Sequence, residues 1–146
     1  MKKIILTSLI CLALFSSCKK ENVTPTNPPV CGLSKANLLG SYRITAISYK
    51  KNEATPDIDE FALYKECERD DLTIFNANNT TTYSDIGMLC NPLDNGVGTW
   101  SLNGNKLTID GDIGTVTDFT CNGGMKLSYS TNNPGEITIF TIVRVP

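Results

Sequence analysis

The sequence predicts an all-β domain, an eight-stranded up-and-down barrel with a short N-terminal helix. From Ser41 onward, threonine is abundant and Asn and Gly separate short strand-forming runs. Most connections between successive runs are short, which is typical of a meander. The last run, 136–145, is apolar on both alternating faces, as in a strand covered on each side. Closure into a barrel would remove the sheet edges, and a two-sheet sandwich is the alternative.

The short helix is predicted over residues 33–39. Ser34 can cap its first turn, Leu38 and its leucine neighbours can be buried, and Gly40 can end it. A helix of this length is not stable alone, so it must pack against the rest of the domain.

Eight extended runs follow, at 41–50, 71–76, 80–86, 97–102, 105–110, 113–120, 124–130 and 136–145. Asn103-Gly104 between two of them predicts a two-residue hairpin with a type I′ turn. The connection 51–70 is long, contains Pro56, and has a predicted helical turn near 61–66.

The first 17 residues predict a lipoprotein signal peptide. Lys2 and Lys3 precede an apolar run over 4–15, which is too short to span a bilayer and ends in small residues before Cys18. Residues 15–18 resemble a bacterial lipobox, with Phe15 in place of the usual leucine. This resemblance implies cleavage before Cys18 and its lipidation. The alternatives are plain secretion with Cys18 as a free thiol, or a buried core helix.

Residues 18–32 are predicted to form the lipidated cysteine and a flexible, proline-containing tether, followed by the barrel domain at 33–146. Lys19 resembles the residue found after the cysteine in outer-membrane sorting. Without Lys2 and Lys3, 11 basic residues face 15 acidic residues, a net charge of −4. This charge excludes the basic patch expected of a nucleic-acid-binding protein.

The predicted mature domain contains four cysteines, an even number that suits disulfides in an oxidising compartment. Of three connectivities, we favour Cys67–Cys90 and Cys31–Cys121. The first would close a loop around one hairpin, and the second would tie the N-terminal segment to the domain. A Cys₄ zinc site is the weaker alternative, because the chain has no C-x-x-C pair and no histidine.

Several short motifs occur in an order that resembles a known family. They are Cys67-Glu68-Arg69-Asp70-Asp71, Thr73-Ile74-Phe75, Tyr83, Cys90, Gly98-Thr99-Trp100-Ser101-Leu102 and Leu107-Thr108-Ile109. Together they resemble the lipocalin-like domain of Bacteroidetes-type bacterial lipoproteins, from Leu38 to Arg144. The resemblance implies a lipocalin-like barrel and says little about activity.

Two further positions fit this resemblance. Gly40-Ser41-Tyr42 stands where lipocalins carry Gly-x-Trp, and Arg144 stands where they place an arginine over that aromatic ring. The resemblance therefore implies a structural pair of Tyr42 and Arg144, with tyrosine replacing the usual tryptophan.

The acidic residues before the second predicted strand have two interpretations. Glu66, Glu68, Asp70 and Asp71 could bind calcium or act as paired carboxylates. The interpretation we favour is a strand entrance where carboxylates accept hydrogen bonds from backbone N–H groups. We predict no metal site, no cofactor and no catalytic residue, since the chain lacks histidine and every common nucleophile or phosphate-binding motif.

Five aromatic residues could line a ligand pocket inside the barrel: Phe75, Tyr83, Trp100, Tyr129 and Phe140. The alternative, favoured by the short chain, is that these rings fill the interior. The first functional hypothesis is an envelope-anchored protein that binds a small apolar or amphipathic ligand. The second is a solidly packed module whose 51–70 and 87–96 loops contact an envelope protein or a glycan. An enzyme is the third.

Overall fold

The computed structural model describes residues 31–52, 54–131 and 133–146, which form an antiparallel barrel. The predicted signal peptide, Cys18 and the tether up to residue 30 lie outside the described residues. The elements are α1 (Lys35–Leu38), β1 (Gly40–Lys50), β2 (Ile58–Asp59), two 3₁₀ turns (Phe61–Leu63 and Glu66–Glu68), β3 (Leu72–Phe75), β4 (Thr80–Ser84), β5 (Gly96–Asn103), β6 (Lys106–Ile109), β7 (Asp112–Thr120), β8 (Gly124–Ser130) and β9 (Ile137–Val145).

Eight strands, all of these except β2, form the closed barrel. From β3 to β9, each pairs with the next, and β1 closes the ring by pairing with β3 on one side and β9 on the other. The β1–β9 ladder runs from the Ser41–Val145 pair to the Lys50–Ile137 pair, with one bulge after Ile44. The predicted all-β, eight-stranded barrel is confirmed, and the sandwich is ruled out by this closure.

The N-terminal helix is shorter than the predicted 33–39. Its four residues are capped by Ser34, whose Oγ accepts a hydrogen bond from the Asn37 N–H at 3.2 Å. The chain is already extended at Leu39, with ψ at 136°. The helix ends here because the Arg144 guanidinium, rather than another helical turn, donates to the Asn37 and Leu39 carbonyls.

The long connection contains a strand that the sequence did not predict. Strand β2 has only two residues, pairs with β1 at Ser48–Asp59 and Tyr49–Ile58, and follows a proline. A strand of two residues is too short to show an alternating apolar pattern, and only its pairing with the distant β1 defines it. The 3₁₀ turn at Phe61–Leu63 lies where a helical turn was predicted, and the Asp59 carboxylate accepts the N–H of Phe61 at 3.0 Å.

The β5–β6 hairpin lies where Asn103-Gly104 predicted it, with the turn displaced by one residue. Asn103 pairs with Lys106, so Gly104 and Asn105 are the central residues. Gly104 has a φ of 59°, and Asn105 is not among the residues with positive φ. The predicted type I′ turn, which needs positive φ at both central positions, is therefore wrong.

The strand directions give the barrel two different ends. At one end, which we call the closed end, lie α1 and the short turns at 76–79, 104–105 and 121–123. At the other, the open end, lie the long connection 51–71 and the loops at 85–95, 110–111 and 131–136.

The half of the barrel next to the closed end is packed solid. Its buried cluster consists of Leu38, Tyr42, Phe75, Trp100, Leu107, Val116, Met125, Leu127 and Ile142. The Phe75 ring lies edge-on between those of Tyr42 and Trp100, with centroids 5.5 and 5.3 Å away. Leu38 of α1 is fully buried, which stabilises the fold by about 1.5–3 kcal/mol, so the short helix covers this end of the barrel.

Arg144 on β9 joins the helix to the barrel. Its guanidinium lies 5.0 Å from the centroid of the Tyr42 ring and donates to the Tyr42 hydroxyl at 2.6 Å. A side chain at Gly40, where φ is 134°, would lie 2.7 Å from Arg144 Nη1. Glycine at position 40 thus gives the guanidinium its space.

Candidate functional site

The half of the barrel next to the open end contains a cavity of about 480 Å³. It is lined by Tyr42, Arg43, Ile44, Thr73, Phe75, Ile109, Asp112, Leu127, Tyr129, Ser130, Thr138, Phe140 and Ile142. Asp112 and Ser130 are exposed, so the cavity reaches solvent at the open end. It also reaches the point where β1 and β3 separate after their last pair, Tyr42–Thr73.

The lining changes from apolar to polar along the barrel axis. The floor, next to the packed core, is formed by Phe75, Leu127, Phe140 and Ile142. The polar ring, nearer the opening, is formed by Thr73, Asp112, Tyr129, Ser130 and Thr138. An apolar floor below a few polar groups is the arrangement of a site for an amphipathic molecule.

Three of the five predicted pocket residues line this cavity. Phe75 lies in the floor, and the Tyr129 and Phe140 rings meet edge to face in the wall with centroids 5.6 Å apart. In the β8–β9 ladder, Tyr129 pairs with Thr138 and Phe140 pairs with Leu127. The two rings are therefore diagonal neighbours on the same face of the sheet.

The other two lie elsewhere. Trp100 is 2% exposed in the packed half, and its indole N–H donates to the Asn76 carbonyl at 3.0 Å. Tyr83 donates its hydroxyl to Asp110 Oδ2 at 2.6 Å. Neither is part of the lining.

The expectation that aromatic rings fill the barrel is correct for the closed end and wrong for the open end. The inward positions of the open half include the small side chains of Thr73 and Thr138, which do not meet across the barrel. Gly114 has a different role, because a Cβ there would lie 2.5 Å from Leu127 and 3.1 Å from the Tyr129 ring. Those two side chains thus occupy the space that a β7 side chain would need.

Two hydrogen bonds to other strands fix the β6–β7 turn at the opening. The Asp110 carboxylate accepts the Tyr83 hydroxyl on one oxygen and the Thr99 N–H, at 2.6 Å, on the other. These two hydrogen bonds lower the pKa of the Asp110 carboxyl, whereas burial and then the bond to Asp110 raise the pKa of Tyr83. The sequence indicated a turn at residues 110–112 but gave no sign of this partner on β4.

Tyr129 is the most perturbed titratable group of the cavity. Burial, followed by the nearby Asp112 and Tyr83, raises the pKa of its hydroxyl to about 12. The hydroxyl therefore stays protonated at neutral pH and is available as a hydrogen-bond donor inside the cavity.

The acidic residues before β3 bind the loops of the open end. Asp70 accepts the Met88 N–H at 2.9 Å, and Glu68 accepts the Lys65 N–H at 3.1 Å. Asp85 accepts the N–H groups of Cys90 and Asp94. These are hydrogen bonds to backbone groups, as in the interpretation favoured above. Within the described residues, no group of three or more Cys, Asp or Glu is arranged to hold a metal ion.

Both predicted disulfides are confirmed, one at each end. Cys31–Cys121 joins the start of the described chain to the β7–β8 turn at the closed end, across a sequence separation of 90. Cys67–Cys90 joins the two longest open-end segments across a separation of 23.

The exposed large apolar side chains of the described residues also concentrate at the open end. They are Ile58, Leu63, Met88, Leu89, Leu93, Val97 and Ile113. The first five belong to the connection 51–71 and the loop 85–95, and the last two are second residues of strands that start at this end. We call them the apolar rim. No helix in the described part of the chain is long and apolar enough to cross a membrane.

The fold and the cavity define a small antiparallel barrel that is closed by a helix at one end and hollow at the other. The family model described as a lipocalin-like domain matches residues 38–142. The chain belongs to this lipocalin-like family. No curated protein matched the chain.

Proposed function

We propose that the protein binds a small apolar or amphipathic ligand in the cavity at the open end. The observation that carries this proposal is the cavity of about 480 Å³, with an apolar floor and a polar ring. This volume falls within the range of about 300–1,000 Å³ that is typical of small-molecule sites. The match to the lipocalin-like family supports the same function.

We propose that binding is not followed by a chemical reaction. The lining offers apolar and hydroxyl side chains with one inward carboxylate, Asp112, which suit holding a ligand. A ligand released from the purified protein should therefore have the same mass before and after prolonged incubation.

We also propose that the protein is a lipoprotein of the Bacteroidetes type, held in the cell envelope through Cys18, at the outer membrane. The signal-like residues 1–17 and the lipobox-like residues 15–18 support this proposal, as do the two disulfides, which suit an oxidising compartment. Replacing Cys18→Ser should move the protein from the membrane fraction to the soluble fraction. A variant that stayed with the membrane would rule out this anchor.

Ligand binding is tested with the neutral fluorescent probe N-phenyl-1-naphthylamine, together with a variant that fills the cavity. Thr138 lines the polar ring, so Thr138→Phe should reduce probe affinity at least about tenfold by occupying the space. The matched control is Thr117→Phe, which adds the same ring at an exposed position of β7. Equal affinities in the two variants, with circular dichroism unchanged, would count against the proposal.

The second candidate is a contact surface for another envelope protein or a glycan. The apolar rim favours it, because five of the rim residues lie in the connection and the loop predicted as contacts. Replacing Leu63 and Met88 by serine should then abolish co-purification of a partner while probe binding is kept.

A further inference from the structure

We propose that the cavity prefers an amphiphile with a cationic head group, and that this head group is held by Asp112 and the Tyr129 hydroxyl. This inference rests on the proposed function and adds the class of ligand. It follows from where the charged and apolar groups of the lining lie relative to one another.

The orientation of the ligand follows from the gradient in the lining. Phe75, Phe140 and Ile142 face the packed half, so an alkyl or ring-shaped tail is desolvated there. A head group then lies in the polar ring, next to solvent.

The polar ring contains one charged side chain, Asp112. It is the first residue of β7 and pairs with Ile109, another lining residue. Among the described residues, no salt bridge or side-chain hydrogen bond engages its carboxylate. Both oxygens of the neighbouring Asp110, in contrast, are occupied by Tyr83 and Thr99. Asp112 is thus the carboxylate that can accept a ligand ammonium group.

Tyr129 shares this region with Asp112. The Tyr129 ring lies against Gly114 of β7, where a Cβ would be 3.1 Å from it, and Asp112 is two residues earlier on the same face of that strand. An ammonium group only donates hydrogen bonds, so it can donate to the Asp112 carboxylate and to the oxygen of the Tyr129 hydroxyl, whereas a carboxylate head group would be repelled by Asp112.

Arg43 is the lining residue of opposite charge, and its position limits its influence. It pairs with Val143 and lies between Tyr42 and Ile44, both of which line the cavity with inward side chains. Strand alternation therefore places the Arg43 side chain on the outer face.

The experiment compares three probes that share one alkyl chain: decylamine, decanol and decanoate. Each displaces N-phenyl-1-naphthylamine from the full-length protein at neutral pH and low salt. Decylamine should bind more tightly than decanoate by roughly threefold to tenfold, as expected for one partly exposed charge pair. The preference should shrink at high salt because the pair is screened.

Three variants assign the preference to the site. Asp112→Asn should remove the difference between decylamine and decanoate and leave decanol within about twofold. Tyr129→Phe should weaken decylamine and decanol alike, which tests the hydroxyl even if the first variant folds poorly. Asp118→Asn, the matched control on the same strand with its carboxylate paired to Lys126, should keep the wild-type preference.

The results separate this inference from the proposed function. If decanoate binds as tightly as decylamine, or if the preference persists in Asp112→Asn, the head-group assignment is wrong and ligand binding stands. If neither the naphthylamine nor any alkyl probe binds, the proposed ligand binding and this inference are both wrong.

Discussion

The two ends of this barrel are built from the same strands but differ in how their interiors are packed. At the closed end, the rings of Tyr42, Phe75 and Trp100 pack edge to face beneath a helix that Arg144 holds in place. At the open end, hydroxyl-bearing positions of the same ladders, among them Thr73 and Thr138, leave a cavity. The packed end therefore supplies most of the stability of the fold, and the other end can remain hollow.

Removing either disulfide gives the largest predicted loss of stability. Removing Cys31–Cys121 by a double serine replacement should cost about 4–5 kcal/mol, because its sequence separation is 90. Removing Cys67–Cys90, with a separation of 23, should cost about 3–4 kcal/mol. Urea unfolding under oxidising conditions measures both. The reverse order would show that the closed end does not dominate stability.

Truncating one aromatic side chain at each end tests the difference in packing directly. Trp100→Ala should destabilise the protein by about 3–5 kcal/mol, because its ring is fully packed and its N–H is bonded. Phe140→Ala should cost less than half as much, because one side of the ring already faces the cavity. The same two variants in the probe assay should show the opposite ranking, with only Phe140→Ala weakening naphthylamine binding. Equal losses of stability would contradict the division into a packed and a hollow half.

Acid sensitivity gives the smallest predicted effect, and it belongs to the open end. Carboxyl groups with shifted pKa values are Glu68, Asp71, Asp110 and Glu136, all at that end. The Asp110 pKa is lowered from 3.8, so its stabilising contribution is complete above that value and is lost as pH falls through the lower folded-state pKa. Asp110→Asn should therefore lower the Tm at neutral pH and flatten its decline in acid.

Asp71 should behave with the opposite sign. Burial, followed by the Asp85 charge, raises its pKa, so its ionised form costs stability above the folded-state pKa and this cost disappears once the pH is below 3.8. Asp71→Asn should raise the Tm at neutral pH. Asp118→Asn, at an exposed ion pair, is the control and should change Tm little at any pH. A Tm decrease in Asp71→Asn at neutral pH would contradict the sign.

Strand positions could be predicted from the sequence, because alternation and turn residues are local signals. The eight predicted runs match the barrel strands with small shifts at their ends, and the four cysteines paired as favoured. Strand β2 could not be found, since two residues carry no period. The helix was predicted three residues too long, because Leu33 and the capping Ser34 precede its first turn and Leu39 is already extended, with its carbonyl bonded to Arg144.

The candidate site was predicted less well, because alternation gives the face of a residue and not its depth in the barrel. Trp100 and Tyr129 both point inward. Trp100 lies three residues before the β5–β6 turn at the closed end, whereas Tyr129 lies at the end of β8, next to the opening. Distance from the nearest turn would have separated them. The cavity itself depends on small side chains facing one another across the ring, which one strand cannot reveal.

The bridge between Cys31 and the β7–β8 turn also decides how the barrel responds to mechanical load. Residue 31 lies at the closed end, on the side away from the opening of the cavity. Tension applied at residue 31 is transmitted to the sheet through the disulfide with Cys121. It therefore does not act first on α1 and β1. Load applied through residue 31 therefore reaches the closed end first, whereas the opening of the cavity lies at the opposite end of the barrel.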